Sequence, residues 1–436
     1  MKMKTYTRRL SLFVLSALLL TLPTAAQQIL LDHDWYLAGD KMTVAVEVGS
    51  AETASKVAYV ELCDATGLQA NCVIGLSKGR GQGLIELPST LHSGYYLLSM
   101  YTRMGSQALQ QLVPVVNIMQ KSVADDIKWV ATDGATTATA YDNDADADGS
   151  NAGASSAANL KKPTYAPLPD SYLATFGQRA ENEGHCIYAR IHGTSESNDY
   201  LTSQIDATLA VVGKTPHVFQ GNKLNDSTVV FNTYGVDGRH SIVMTAETYD
   251  AKPLQIEVIN PFATLLPRHL PHLTLCYNRN EVEKRSSQMQ LSVNDTIVTD
   301  STVYSSEFMA TKPLVSYDLD EYRQFRTIRE VLLEYVNFVH RSAKHGRNRL
   351  YVYNEVEGYS EWQALVLLDG MPVQDIDRLL RYDARRVHYI NIYDDYFSFG
   401  NIMYKGVINI VTRTGKLTNF PPEKTSAYLV YDFPQK

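Results

Sequence analysis

The chain has 436 residues, 44% of them hydrophobic and 20% charged, and a formal net charge of −7. That is a globular composition with room for about three domains at roughly 150 residues each. Its acidic balance argues against nucleic acid or anionic lipid as a partner.

Residues 1–26 place Lys2, Lys4, Arg8 and Arg9 before the apolar run Leu10 to Leu22, followed by Thr24-Ala25-Ala26. This is the order of a secretory signal peptide, so the mature chain is expected to start at Gln27. Cleavage would remove four basic and no acidic residues, taking the charge from −7 to −11. No cysteine stands at the cleavage position to carry a lipoprotein anchor, and no other stretch approaches the roughly 18 apolar residues of a membrane helix. Export to the periplasm or the cell outer membrane is the expectation. Four cysteines, Cys63, Cys72, Cys186 and Cys276, are few for an oxidising compartment. Cys63 and Cys72 flank a predicted turn, where a hairpin disulfide would fit. Four cysteines allow three connectivities, and buried thiols are the alternative.

Residues 27–119 read as short strands separated by turn signals: Met42 to Val48, Lys56 to Leu62, Asn71 to Leu76, Gly83 to Leu87, Gly94 to Arg103 and Gln110 to Ile118. The pattern predicts a β-sandwich. YLAGDKMTVAVEV, KVAYVELCDATG and the segment from SKGRGQG through Gly94-Tyr95-Tyr96 to Tyr101-Thr102 resemble the MG2 domain of macroglobulin-type proteins. No cysteine sits in a Gly-Cys-Gly-Glu-Gln setting, so covalent trapping is not implied. Gly79, Gly81 and Gly83 have the wrong spacing for a dinucleotide loop and are read as loosening a hairpin.

Residues 120–162 are rich in Ala, Thr, Asp, Ser and Gly, which predicts an acidic low-complexity linker. Asp144 and Gly149 could be positions 1 and 6 of a calcium loop, but position 12 is Ser155 instead of Glu, so a solvated linker is the better reading. Residues 163–262 return to strands and predict a second β-sandwich; residues 263–321 read as a connecting β segment that includes Met289 to Val293. Asp295 to Thr299 resembles a TonB box, although an ordinary strand explains it too.

Residues 322–436 carry the most specific pattern. Phe325 to His340 reads as a helix, with a Thr327–Glu330 capping box, and Arg341 to Asn348 as a basic loop. Leu365 to Leu368 reads as a buried strand, Asp369-Gly370 as a turn and Asp375 to Tyr382 as a helix. Val387 to Tyr393 and Val407 to Thr412 are β-rich. At LLDGMPV, HYINIY and YKGVINIVTRTG the chain resembles the plug domain of TonB-dependent outer-membrane receptors, over roughly 322–415. In that resemblance Asp369, Gly370, Pro372, Gly406 and Asn409 are structural motif residues. The family's Arg-Gly-Pro loop is replaced by Asp394, Asp395, Tyr396 and Phe397, read as a partner-binding loop. Only about 20 residues follow, too few for a barrel of even eight strands.

Signatures of chemistry are sparse. There is no G-x-S-x-G and no H-E-x-x-H. Gly213-Lys214-Thr215 lacks the first glycine of a phosphate loop, because position 208 is Thr208. His269, His272 and Cys276, and likewise His185, Cys186 and His192, lack the paired spacing of a structural zinc site. No catalytic residue, metal or cofactor is expected. The 28 tyrosines fit strands and interfaces alike. The sequence therefore predicts a multidomain, mainly β protein, with tandem β-sandwiches followed by an α+β plug-like domain. Its expected role is non-enzymatic, with the plug-like domain docking on a separate outer-membrane β-barrel or transport complex. The alternative is a sandwich module that binds glycan or peptide.

Overall fold

A computed structural model describes residues 27–49, 52–119, 127–141, 163–195, 197, 204–215, 217–248, 252–294, 312–344, 347–354, 358–359, 362–399 and 402–436. The signal peptide, the Asp144–Ser155 segment and Asp295–Thr299 lie outside them. The protein is mainly β and multidomain, and its contacts divide it into two compact units built from discontinuous stretches.

The first unit comprises Met1–His185, Phe262–Asp300 and Pro434–Lys436. A three-stranded sheet (Gln28–Leu31, Lys41–Glu47, Arg80–Glu86) faces a larger one built on Val57–Cys63, Leu68–Gly75, Gly94–Tyr101 and Gln107–Val116. Alternating residues such as Met42, Val44, Val46 and Ile85 meet Val60, Leu62, Leu98 and Met100 in the buried core. All six predicted strands of this region are present. The glycine run has a different role from the one expected. A Cβ on Gly81 would lie 2.4 Å from the Gly75 carbonyl, and one on Gly83 would lie 2.7 Å from Ile74, so these glycines let two strands cross closely.

Several boundaries differ from the sequence reading. Ile127–Ala131 and Thr137–Tyr141, placed in the linker, are strands, and both pair with His272–Tyr277. Leu273 and Leu275 bury against Trp35, Leu37 and Tyr95, which supplies the apolar cover that the linker composition lacks. Thr164–Pro167 pairs with Gln107–Val116 and so belongs to the first sandwich. Arg279–Asn294 is a helix where the Met289 to Val293 strand was expected. Cys63 lies opposite Leu68 and Cys72 opposite Val60, so these two thiols are not cross-strand neighbours, and none of the four cysteines is in a disulfide.

A buried polar cluster fixes the helix Asp170–Phe176 and the segment after it onto the Val57–Cys63 strand. Arg103, 1% exposed, pairs with Glu181 at 3.0 Å and lies over the rings of Tyr59 and Phe176. Glu181 also accepts from Tyr59 Oη at 2.8 Å and faces His185 Nδ1 at 3.3 Å. On the same strand, Glu61 accepts from the backbone amides of Thr264 and Leu265 and from Tyr101 Oη. That set of bonds ties the returning 262–265 segment to the sheet.

The second unit comprises Cys186–Pro261 and Ser301–Phe433. Its seven-stranded sheet runs from Ile205–Val211 through His217–Asn225, Thr228–Thr233, His185–His192, Pro253–Val258 and Arg239–Thr248 to Ala427–Asp432. Ile205–Val211 also pairs with Arg239–Thr248, so the sheet closes on itself around Leu209, Phe219, Phe231, Ile242 and Ile256 instead of forming two facing layers. The last strand comes from the C-terminal region, outside the 163–262 span expected for this domain.

The rest of the second unit is an α/β region. Its five-stranded sheet has the order Val315–Asp318, Val387–Phe399, Ile402–Thr412, Leu365–Leu368, Met371–Pro372. The capping box at Thr327 and Glu330 is present, but the helix spans only Ile328–Glu334. Val339–Lys344 and Arg347–Asn354 form a hairpin in place of the end of the predicted helix and the basic loop. The β-branched Val339 and Val352 face one another across it, which favours a pleated surface over a helix.

Two outcomes test the buried cluster. Glu181→Ala leaves the Arg103 guanidinium buried without its carboxylate, and is expected to cost about 3 to 5 kcal/mol in urea unfolding. Burial holds the His185 imidazole below its ordinary 6.5, so the unfolded chain takes up this proton first and stability falls as the pH drops below about 6.5. Burial raises the Glu61 carboxyl and acts in the opposite sense. The fall in melting temperature between about pH 7 and pH 5.5 is therefore expected to be smaller in His185→Gln than in the parent.

Candidate docking surface

Asp369 and Gly370 form the two-residue loop between paired Leu368 and Met371, both with positive φ (46° and 83°). That is the backbone a tight hairpin needs, and Asp and Gly are the residues that tolerate it. Asp369 is fully buried. Its Oδ1 accepts from the Thr412 amide at 2.7 Å; its Oδ2 accepts from Thr412 Oγ1 at 2.7 Å and from the Leu417 amide at 2.9 Å. The carboxylate thus locks the end of one central strand to the end of its parallel neighbour and to the chain leaving the sheet. Pro372 stands on the two-residue edge strand, where a missing N–H is tolerated. Asn409 is buried in mid-strand, opposite Leu367 on one side and Asn391 on the other.

Asp394 to Phe397, expected as a loop, lie within the strand Val387–Phe399. Asp394 and Asp395 together oppose the single residue Gly406, between the pairs Tyr393–Val407 and Tyr396–Lys405. This is a β-bulge, which bends and twists the hairpin. Gly406 has φ +86°, and a Cβ there would lie 2.6 Å from Val352 Cβ and 2.7 Å from the Tyr393 carbonyl. The four predicted contact residues therefore separate. Asp394 accepts from Asn354 Nδ2 at 2.8 Å, Asp395 is exposed, Phe397 packs inward, and Tyr396 is 50% exposed.

Sequence reasoning missed Met403 and Lys405, the cross-strand companions of Tyr396. Lys405 is buried, with its Nζ 3.7 Å from the centre of the Tyr396 ring, and Met403 is 42% exposed on the same face. Alternation along IMYKGVINIVT marks Met403 and Lys405 as one face, but the bulge that pairs that face with Tyr396 has no local signature. Flanking strands pair as far as Ile392 on one side and Val407 on the other, and the Lys405 amide still donates to the Gln363 carbonyl at 3.2 Å. Beyond Lys405 no further named strand flanks the hairpin among the described residues.

Asp318, Asp320 and His388 bring three ligand-type atoms within 4.8 Å of one another. Arg413 already holds both oxygens of Asp320, at 2.6 and 3.0 Å, and its hydrogen bonds keep that carboxyl below the usual range. The cluster works as an ion-pair network that fixes the strand end next to Thr412.

No protein-family profile matches the chain, and no curated protein does. Among solved structures, a protein described as membrane-anchored, from Corynebacterium diphtheriae, is 10% identical over 59% of this chain and 60% of its own, with a TM-score of 0.18. A structure of the manganese lipoxygenase of Gaeumannomyces graminis with part of a zonadhesin of Komagataella pastoris is also 10% identical, over 58% of this chain and 96% of that one, with a TM-score of 0.14. The chain thus spans less than two thirds of the first of these, and scores this low carry no argument. No helix of the described residues is long and apolar enough to cross a membrane, which leaves membrane-crossing strands unaddressed.

Removing the Asp369 carboxylate (Asp369→Ala) leaves two amides and a hydroxyl without their acceptor. We expect a loss of about 2 to 4 kcal/mol in chemical denaturation. Gly406→Ala should cost at least about 1 to 3 kcal/mol, from strain and overlap at the bulge. A change below about 0.5 kcal/mol in either variant would show that the clamp or the bulge does not carry the sheet.

Proposed function

We propose that the chain is an exported, non-enzymatic protein of the outer-membrane periphery, whose C-terminal α/β region docks on a separate β-barrel or transport complex. The observation that carries this reading is the hairpin 387–412, which outruns both flanking strands and presents Tyr396 and Met403 on one exposed face. An aromatic and a flexible thioether on the projecting end of a hairpin suit capture of a β-structured partner. The plug-like sequence motifs support the same reading: LLDGMPV and GVINIVTRTG supply the Asp369 clamp that holds the hairpin's base. In this arrangement the first sandwich acts as a spacer or adaptor.

The test is affinity capture of tagged Gln27–Lys436 from its native envelope in mild detergent. A stoichiometric outer-membrane β-barrel is expected, lost in the double variant Tyr396→Asp, Met403→Asp. Met403 is exposed, whereas Tyr396 also covers Lys405, so the melting temperature of the double variant is measured alongside and the loss counts where the variant is folded at the temperature of capture. Recovery of the protein alone, or capture that the double variant leaves intact, overturns the proposal.

A further inference from the structure

A cavity of about 160 Å³ lies within the second unit, between the closed sheet and the α/β region. Strand register sets its floor. Asp206 and Glu247 stand directly opposite one another on antiparallel strands, and Thr208 and Thr245 form the next pair on the same face. The two threonine hydroxyls satisfy each other at 2.6 Å. Two carboxylates placed opposite each other on a ladder put like charges on one wall of the cavity.

The Asp206 Oδ1 is withdrawn from solvent without a hydrogen-bond partner, and burial raises the pKa of this carboxyl. Across the cavity stand Gln363, Tyr404 and Arg349. Arg349, the basic residue of the lining, is exposed and forms no ion pair with Asp206. Burial, and then the charges of Glu247 and Asp206, hold the Tyr404 phenol well above its usual range, so this ring shares its surroundings with both carboxylates.

A desolvated carboxylate beside a second one is best compensated by a cation that also donates hydrogen bonds. The space is some ten times what one water needs, wide for a bare metal ion, and the Tyr404 ring adds an aromatic wall beside the polar lining. We propose that this cleft binds an organic cation, an ammonium or guanidinium group of the kind that ends a basic peptide side chain. Asp206 and Glu247 accept its N–H groups, and the Tyr404 ring lies against its charged head or apolar stem. The inference stands independently of the hairpin's role.

Titration calorimetry of Gln27–Lys436 with cadaverine and with agmatine tests it. One saturable site is expected for at least one of these amines, weakened tenfold or more in Asp206→Asn and in Glu247→Gln, with 1-pentanol inert. The melting temperatures of both variants are measured alongside and should stay near the parent's, because each substitution keeps the shape of the side chain. The absence of saturable heat with both amines, unchanged affinity in both variants, equal binding of 1-pentanol, or saturation by calcium chloride alone overturns the proposal.

Discussion

The Asp369 carboxylate is the interaction on which the C-terminal region depends. It sits at the tip of a two-residue turn, yet its three hydrogen bonds reach 43 and 48 residues further along the chain. Two parallel strands, Leu365–Leu368 and Ile402–Thr412, lie side by side with their ends closed by one side chain. Burying a carboxylate is costly unless backbone and hydroxyl donors surround it. Here they do, and the same donors would otherwise be unpaired where the last strand leaves the sheet. The helices Ile328–Glu334 and Ile376–Leu380 then cover a sheet whose register is already fixed.

The first unit meets a comparable problem with a different device. Segments far apart in the chain return to one sandwich, and buried carboxylates fasten them. Glu181 holds Arg103 and Tyr59, while Glu61 gathers the amides of the 262–265 segment. Apolar packing alone leaves the position of a returning loop weakly specified. A buried acceptor that needs particular donors specifies it closely, because each missing bond costs a desolvation penalty.

The two features that carry function in this reading follow from irregularities in otherwise regular sheets. The bulge at Asp394–Asp395, permitted by Gly406, sends the hairpin beyond its neighbours and sets Tyr396 over Lys405. The closure of the seven-stranded sheet puts Asp206 against Glu247 and leaves a polar cavity beside them. In both places the regular pattern is broken, by a bulge or by like charges set opposite one another, a kind of irregularity that functional sites retain.

Period-2 alternation, turn residues and capping signals act over a few residues, so the sequence by itself determined the mainly β character, the six strands of the first sandwich, the Thr327 cap and the Asp369-Gly370 turn. The same local logic misplaced what distant partners decide. Ile127–Ala131 and Thr137–Tyr141 are strands because His272–Tyr277 lies between them; the chain end at 427–432 joins a sheet begun near residue 185; and Asp394 to Phe397 became a bulged strand because Gly406 opposes it. Asp369 could be read as a turn residue, but its bonds to Thr412 and Leu417 could not. Spacing along the chain carries no information about which ends meet once the sheet has formed, and only the tertiary structure supplies the donors that make a carboxylate a clamp.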